Sequence, residues 1–208
     1  MVNKDTARRE SIRTSVQAEF TTQTWALIPM GVALSVVAAF AVSALRLPLY
    51  LDALGTLLIA LLVGPWAAVL TGLLINLVQG VLVNPAMIPY TPLQGAFGLA
   101  AGFLAQRGWF RSYARIIGVG LIIALISIVM GAPITVYAFG GVTGSGSDIL
   151  TGFFLAVGEN LFSAVVAQTI IVEPVDKVLT AVLAALIAVR VPERYRPKTA
   201  ARVLDDDE

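Results

Sequence analysis

Uncharged apolar runs and short polar breaks alternate along this chain. Residues 53–106 contain no Asp, Glu, Lys or Arg, and neither do residues 116–147. The apolar segments fall at about 24–45, 51–64, 66–83, 93–106, 116–139, 149–172 and 175–190. Between them lie turn formers: Arg46-Leu47-Pro48, Gly64-Pro65, Asn84 through Pro92, Gly140-Gly141 and Glu173-Pro174. Charge-free runs of this length predict membrane spans, which a water-soluble core has no need of. The pattern therefore predicts an all-α fold, a polytopic membrane helix bundle.

The cations orient it. Lys4, Arg8, Arg9 and Arg13 precede the first segment, Arg107, Arg111 and Arg115 share one acid-free loop, and Arg190, Arg194, Arg196, Lys198 and Arg202 follow the last. Only Arg46 and Lys177 of the 14 cations lie elsewhere. The excess of basic residues on cytoplasmic loops places both termini and the 107–115 loop in the cytoplasm. Asp52, the 84–90 loop and Asp148 then face outward. Residues 1–23 read as a polar cytoplasmic segment, 24–195 as one integral membrane domain and 196–208 as a charged cytoplasmic tail.

Two ends on one side require an even number of crossings, yet there are seven segments. Segment 149–172 is the odd one, with Gly158-Glu159-Asn160 at its midpoint. Two limbs of about ten residues each rise ~15 Å, half a hydrocarbon core. The expected solution is six transmembrane helices plus a re-entrant hairpin at about 149–172. The rival is a seventh element lying on the cytoplasmic surface.

Several polar residues interrupt the apolar background. Asp52 opens an apolar helix, either as an acid complementing the helix dipole or as a polar group at the mouth of a pocket. Asn76 and Gln79 lie three apart and share a helix face. Tyr90, Gln94 and Tyr137 fall at matching depth in the outer half. Such residues either bond helix to helix or line an outward pocket. Glu159, beside Asn160, is the only ionisable group well inside an apolar segment, which by default suggests a function. Its candidate partners are Asn160, Gln168 and Tyr137. Gly64-Pro65-Trp66 reads as a structural cytoplasmic turn, with Pro65 in the first turn of the next helix. The 142–148 loop lacks the Gly-Lys-Ser/Thr ending of a phosphate-binding loop and reads as an exterior loop with Asp148 capping the next helix. Ser35, Ala39 and Ser43 have the small-xxx-small spacing that admits a close helix neighbour.

Composition narrows the chemistry further. The chain of 208 residues is 58% hydrophobic and 13% charged, with a mean hydropathy of +0.86. A net charge of +1 gives no nucleic-acid surface. With no Cys and no His there is no disulfide, thiol nucleophile or imidazole base. No cleavable signal peptide is evident, because the first 23 residues lack an apolar core. An enzyme is not expected, nor a cofactor or a metal. Without a phosphate-binding motif or a chain of intramembrane acids, solute movement would draw its energy from another subunit.

Taken together, the pattern resembles the S component, the substrate-binding membrane subunit, of energy-coupling factor (ECF) vitamin importers. The likeness rests on LDALGTLLIALLVGPW with its outward acid, LLINLVQG after it, the proline-rich loop into Pro92-Leu93-Gln94-Gly95, and EPVDKVLTAVLAALIAVRVPER as a final helix. It covers about residues 24–195. It implies a multi-pass protein of the bacterial inner membrane that captures a vitamin-like small molecule from outside. It also implies docking onto a transmembrane coupling subunit driven by two ATPase subunits. The family's docking surface maps to Ser35, Ala39 and Ser43, and its ligand cover to residues 46–52. The substrate-binding set is then Asp52, Asn76, Gln79, Tyr90, Gln94, Tyr137, Glu159 and Asn160. With cations only at the rim, at Arg46 and Lys177, a neutral or cationic heterocycle fits better than a strongly carboxylated vitamin. The alternatives are a membrane sensor, which would be expected to continue into a cytoplasmic catalytic domain, and a structural subunit that binds nothing.

Overall fold

The computed structural model describes residues 14–192. The terminal cations Lys4, Arg8, Arg9, Arg13, Arg194, Arg196, Lys198 and Arg202, and the expected 196–208 tail, lie outside the described residues. Among those described, helices make the whole fold and no strand occurs. After a short helical stretch at 14–19 come α1 (Thr22–Ala44), α2 (Leu54–Leu62) and α3 (Pro65–Leu82). A 3-10 turn, Pro85–Tyr90, leads into α4 (Thr91–Gln106) and α5 (Tyr113–Phe139). The chain then forms α6 (Asp148–Ala156) and α7 (Leu161–Arg190).

Three helices, α1, α3 and α5, are long and apolar enough to cross a membrane. The others depart from that pattern for separate reasons. α2 has nine residues and rises only ~14 Å, but all nine are buried among α1, α3, α4 and α7. A helix apolar on every side belongs in the centre of a bundle. α4 has 16 residues, and α7 has 30 but carries Glu173, Asp176 and Lys177.

Small residues set the helix distances. A Cβ on Gly98 would meet the Ala68 backbone, and one on Gly102 would lie 2.3 Å from Pro65 Cα, so α3 and α4 run antiparallel in close contact. Gly120 abuts Val178 and Gly141 abuts Leu161, which sets α5 antiparallel to α7. α1 and α2 approach most closely: a Cβ on Gly55 would fall 1.9 Å from Gly31 O, and Ser35 Oγ accepts a bond from Gly55 N at 2.7 Å.

That contact occupies one of the three residues of the expected docking surface. Ser35 is fully buried against the protein's own α2, and Ala39 is half-buried. Only Ser43 of the three is exposed. The small-residue face of α1 is used, at Ser35, to pack the bundle internally.

The re-entrant hairpin is also revised. A turn does form at Gly158–Asn160, with Gly158 at φ 98° and Asn160 Oδ1 accepting from Ser163 N to cap α7. However, the second limb does not end at residue 172. It continues through Pro174 to Arg190 as one helix of ~45 Å. Because Leu161 packs on Gly141 at the end of α5, the turn lies at the end of the α5–α7 pair. Glu159 is exposed there rather than set at mid-depth. The Glu173-Pro174 break is absent: this proline sits inside a helix, where neighbouring elements can satisfy the freed carbonyl.

The Gly64-Pro65-Trp66 turn forms as expected, with Pro65 at the start of α3. It has a cap that was not anticipated. Glu19 Oε2 accepts from Trp66 N at 2.8 Å and Ala67 N at 3.0 Å, satisfying donors that open the helix. Burial pushes the Glu19 carboxyl above its ordinary value, and bonds from Ala67 and Trp66 pull it back.

Gly55→Ala forces a methyl group into the Gly31 carbonyl and is expected to lower stability by about 3 kcal/mol or more. Thermal unfolding of the detergent-solubilised protein checks this. Gly152→Ala, at a position with nothing within 4 Å, serves as the neutral control.

Candidate functional site: a charged cavity at the end of the bundle

At the end of the bundle opposite Gly64, helices α3, α4, α5 and α7 diverge around a cavity. Its interior volume is about 60 Å³, room for a few water-sized groups and smaller than the ~300–1,000 Å³ of typical small-molecule sites.

Its centre is Lys177, which is only 1% exposed. The ammonium Nζ lies 2.7 Å from Asp176 Oδ2, 2.9 Å from Asp52 Oδ1 and 3.5 Å from Glu173 Oε2. It also sits 5.3 Å above the Phe97 ring and 5.5 Å above the Tyr50 ring, near enough for cation–π attraction. The spacing on α7 explains the cluster. Residues 173, 176 and 177 are three and four apart, so they share one helix face.

Each aspartate has a further task. Asp176 Oδ1 accepts from the backbone N–H groups of Tyr50 at 2.8 Å and Leu51 at 2.9 Å. This pins the α1–α2 connection across the cavity. Arg46 and Leu51 in that strap hold φ of 51° and 49°, a left-handed conformation costly for residues with a Cβ. Asp52 Oδ2 accepts from Gln94 Nε2 at 2.9 Å, and Gln94 Oε1 accepts from Thr56.

Loops complete the rim. The Tyr50 hydroxyl pairs with Ser147 Oγ at 2.7 Å and accepts a long bond from Gln168 Nε2. Tyr90 pairs with Thr135 at 2.6 Å, and its ring stacks on Phe139. Asn84 Nδ2 donates to Thr143 O. The carboxylate of Asp148 accepts from Thr143 N and Gly144 N, so it braces its own loop where helix capping was expected.

The structure brings four of the expected site residues into the cavity wall: Asp52, Asn76, Tyr90 and Gln94. The other four stand apart from it. Gln79 is buried one turn beyond Asn76, Tyr137 is 83% exposed on the outside of α5, and Glu159 and Asn160 occupy the exposed turn. Asn76 is the most telling of those retained. It is 1% exposed, and neither its Nδ2 nor its Oδ1 has a hydrogen-bond partner. Glu173 Oε2 likewise accepts no hydrogen bond.

Glu173, Asp176 and Tyr50 were missed as site residues, and Lys177 was placed at the rim. A signal was present: an acid, an acid and a base at helical spacing in Glu173-Pro174-Val175-Asp176-Lys177. Dividing the chain at Pro174 hid their common face.

Fold and site define an all-helical protein with helices long and apolar enough for a membrane and a buried charged cavity at one end. Comparison with known proteins gave no matching family model, curated protein or solved structure.

Lys177→Ala would leave carboxyl groups facing one another without a cation. The expected loss is about 3–5 kcal/mol, read by thermal unfolding. Adding Asp176→Asn to that variant should recover part of it, and a double variant no better than the single would refute the pairing.

Proposed function

We propose that the protein is a substrate-binding membrane subunit of the ECF type. On this reading it captures a vitamin-like small molecule from outside and passes it on through a coupling subunit powered by separate ATPases. It binds and does not catalyse. The observation that carries the reading is Asn76: an amide buried in an apolar bundle, with both polar atoms unpaired, in the wall of a cavity lined by charged and aromatic side chains. An unpaired buried amide costs roughly 1–3 kcal/mol, which a bound ligand would offset.

Six crossings follow from counting α1, α2 with its preceding strap, α3, α4, α5 and α7, with α6 and the 157–160 turn on the outer surface. Even parity then puts both ends of the domain in the cytoplasm. Arg107, Arg111, Arg115 and Arg190 lie at the end opposite the cavity, so the positive-inside rule directs the cavity outward.

Orientation is tested by cysteine labelling, which is clean because the chain has no Cys. Ser145→Cys and Glu159→Cys are expected to react with a membrane-impermeant maleimide in intact cells. Tyr113→Cys should react only after permeabilisation, and the reverse pattern would invert the topology.

Capture is tested by native mass spectrometry of the detergent-purified protein, followed by extraction of bound small molecules. A stoichiometric ligand is expected, lost in Asn76→Ala and kept in Glu159→Ala. A protein that carries none and binds none from a vitamin panel would move the weight to a purely structural subunit. Co-purification with ATPase subunits separates transport from sensing.

A further inference from the structure

The chemistry of the cavity narrows what it would hold. An ammonium group has three hydrogens to donate. Those of Lys177 face three carboxyl groups, Asp176 and Asp52 within hydrogen-bond distance and Glu173 at 3.5 Å. Two of its hydrogens are bonded to Asp176 and Asp52, and its charge is shared with Glu173, so one ammonium serves three carboxyl groups. Among the described residues, the other cation near this end, Arg46, is exposed and does not line the cavity.

The acids outnumber the base. Asp52, Glu173 and, at the rim, Asp148 line the cavity together with Lys177, while Asp176 stands behind, its oxygens bound to Lys177 and to the strap. Glu173 Oε2 is the oxygen with no hydrogen bond. Its ion pair with Lys177, at 3.5 Å, is the longest of the three, and buried carboxylates in excess of the cations beside them favour a further positive partner. Beside it, Asn76 offers one donor and one acceptor, both unpaired. Phe97 and Tyr90 add apolar ring surface to the same wall.

We propose that the cavity binds a small organic cation, bearing a protonated amine, an amidinium or a charged ring nitrogen. Glu173 and Asp52 meet its charge, and the Asn76 amide reads a neighbouring donor–acceptor edge. This rests on the capture reading above and adds to it the charge class of the captured molecule. Glu173 would be the specificity-determining residue. A neutral analogue of the same shape loses the charge-assisted bond, and an anionic one meets acids that outnumber the single buried ammonium.

The test uses the full chain in lipid nanodiscs. A polar metabolite extract of bacterial cells is separated by ion exchange into cationic, neutral and anionic fractions, and each is added while thermal unfolding is followed. The cationic fraction is expected to raise Tm by about 3 °C or more, with shifts under about 1 °C from the others. The compound retained is then identified by mass spectrometry. For that compound, Glu173→Gln should weaken binding at least about 10-fold. The ranking of fractions is read on the unaltered protein, so it does not depend on a variant folding. Stabilisation by the anionic or neutral fraction alone would overturn the cationic assignment and leave small-molecule capture standing. No stabilisation by any fraction or by the whole extract would overturn both.

Discussion

A lysine ammonium buried among apolar helices must direct its hydrogens at acceptors, and Lys177 directs them at Asp176, Asp52 and Glu173. The cavity end is organised by the second oxygens of those acids. Asp176 Oδ1 takes the backbone donors of Tyr50 and Leu51 and holds the strap over the cavity. Asp52 Oδ2 takes Gln94, which in turn takes Thr56 on α2. One charge thus ties α2, α4, α7 and a strained loop together. Desolvating such a group costs several kcal/mol, and the attraction of its partners restores it only when geometry and hydrogen bonding are good. Here both aspartate contacts are shorter than 3 Å.

The two ends of the bundle are closed differently. At the Gly64 end, α3 and α4 touch backbone to backbone, and Glu19 caps the α3 N-terminus. Little there can move without a clash. At the cavity end loops close the gap through hydroxyl and amide bonds, beside close backbone approaches at Gly72–Gln94 and Gly146–Leu47. Left-handed φ at Arg46 and Leu51 persists because surrounding bonds over-determine it.

Much of this was legible in the chain, and the gaps have physical causes. Charge-free runs revealed the helices because burial in lipid or protein excludes charge over whole segments. Pro65 revealed the start of α3 because proline fixes a helix-compatible φ. Asp52, Asn76 and Gln94 were found because polar atoms are conspicuous in apolar helices. Glu159 misled for the same reason: local context cannot tell a buried position from a turn when exposed apolar residues such as Phe153 and Val157 surround it. Pro174 misled because a proline reads as a boundary locally, while long-range packing decides whether a helix passes through. Ser35 misled because small-residue spacing specifies a close neighbour but not which one. Lys177 was undervalued because its partner Asp52 lies 125 residues away, and a one-dimensional pattern does not carry that pairing.

The polar core does not follow from the needs of folding alone. Replacing a buried ion pair with well-packed apolar residues is often neutral or stabilising, and α1 with α2 shows that this chain joins helices by small-residue contact. Yet four acids and amides that reach inward, Asp52, Asn76, Gln94 and Glu173, converge on one cavity. Asn76 retains two unpaired polar atoms there, and Glu173 Oε2, 3.5 Å from the Lys177 ammonium, accepts no hydrogen bond. Stability would be served by pairing those atoms or removing them. Gln94 shows the contrast, since both ends of its amide are engaged within the protein, whereas Asn76, at comparable burial on the neighbouring helix, has neither end engaged. The difference separates the part of the polar wall that holds the bundle from the part whose polar atoms the bundle leaves unpaired, and the proposed capture function rests on the latter.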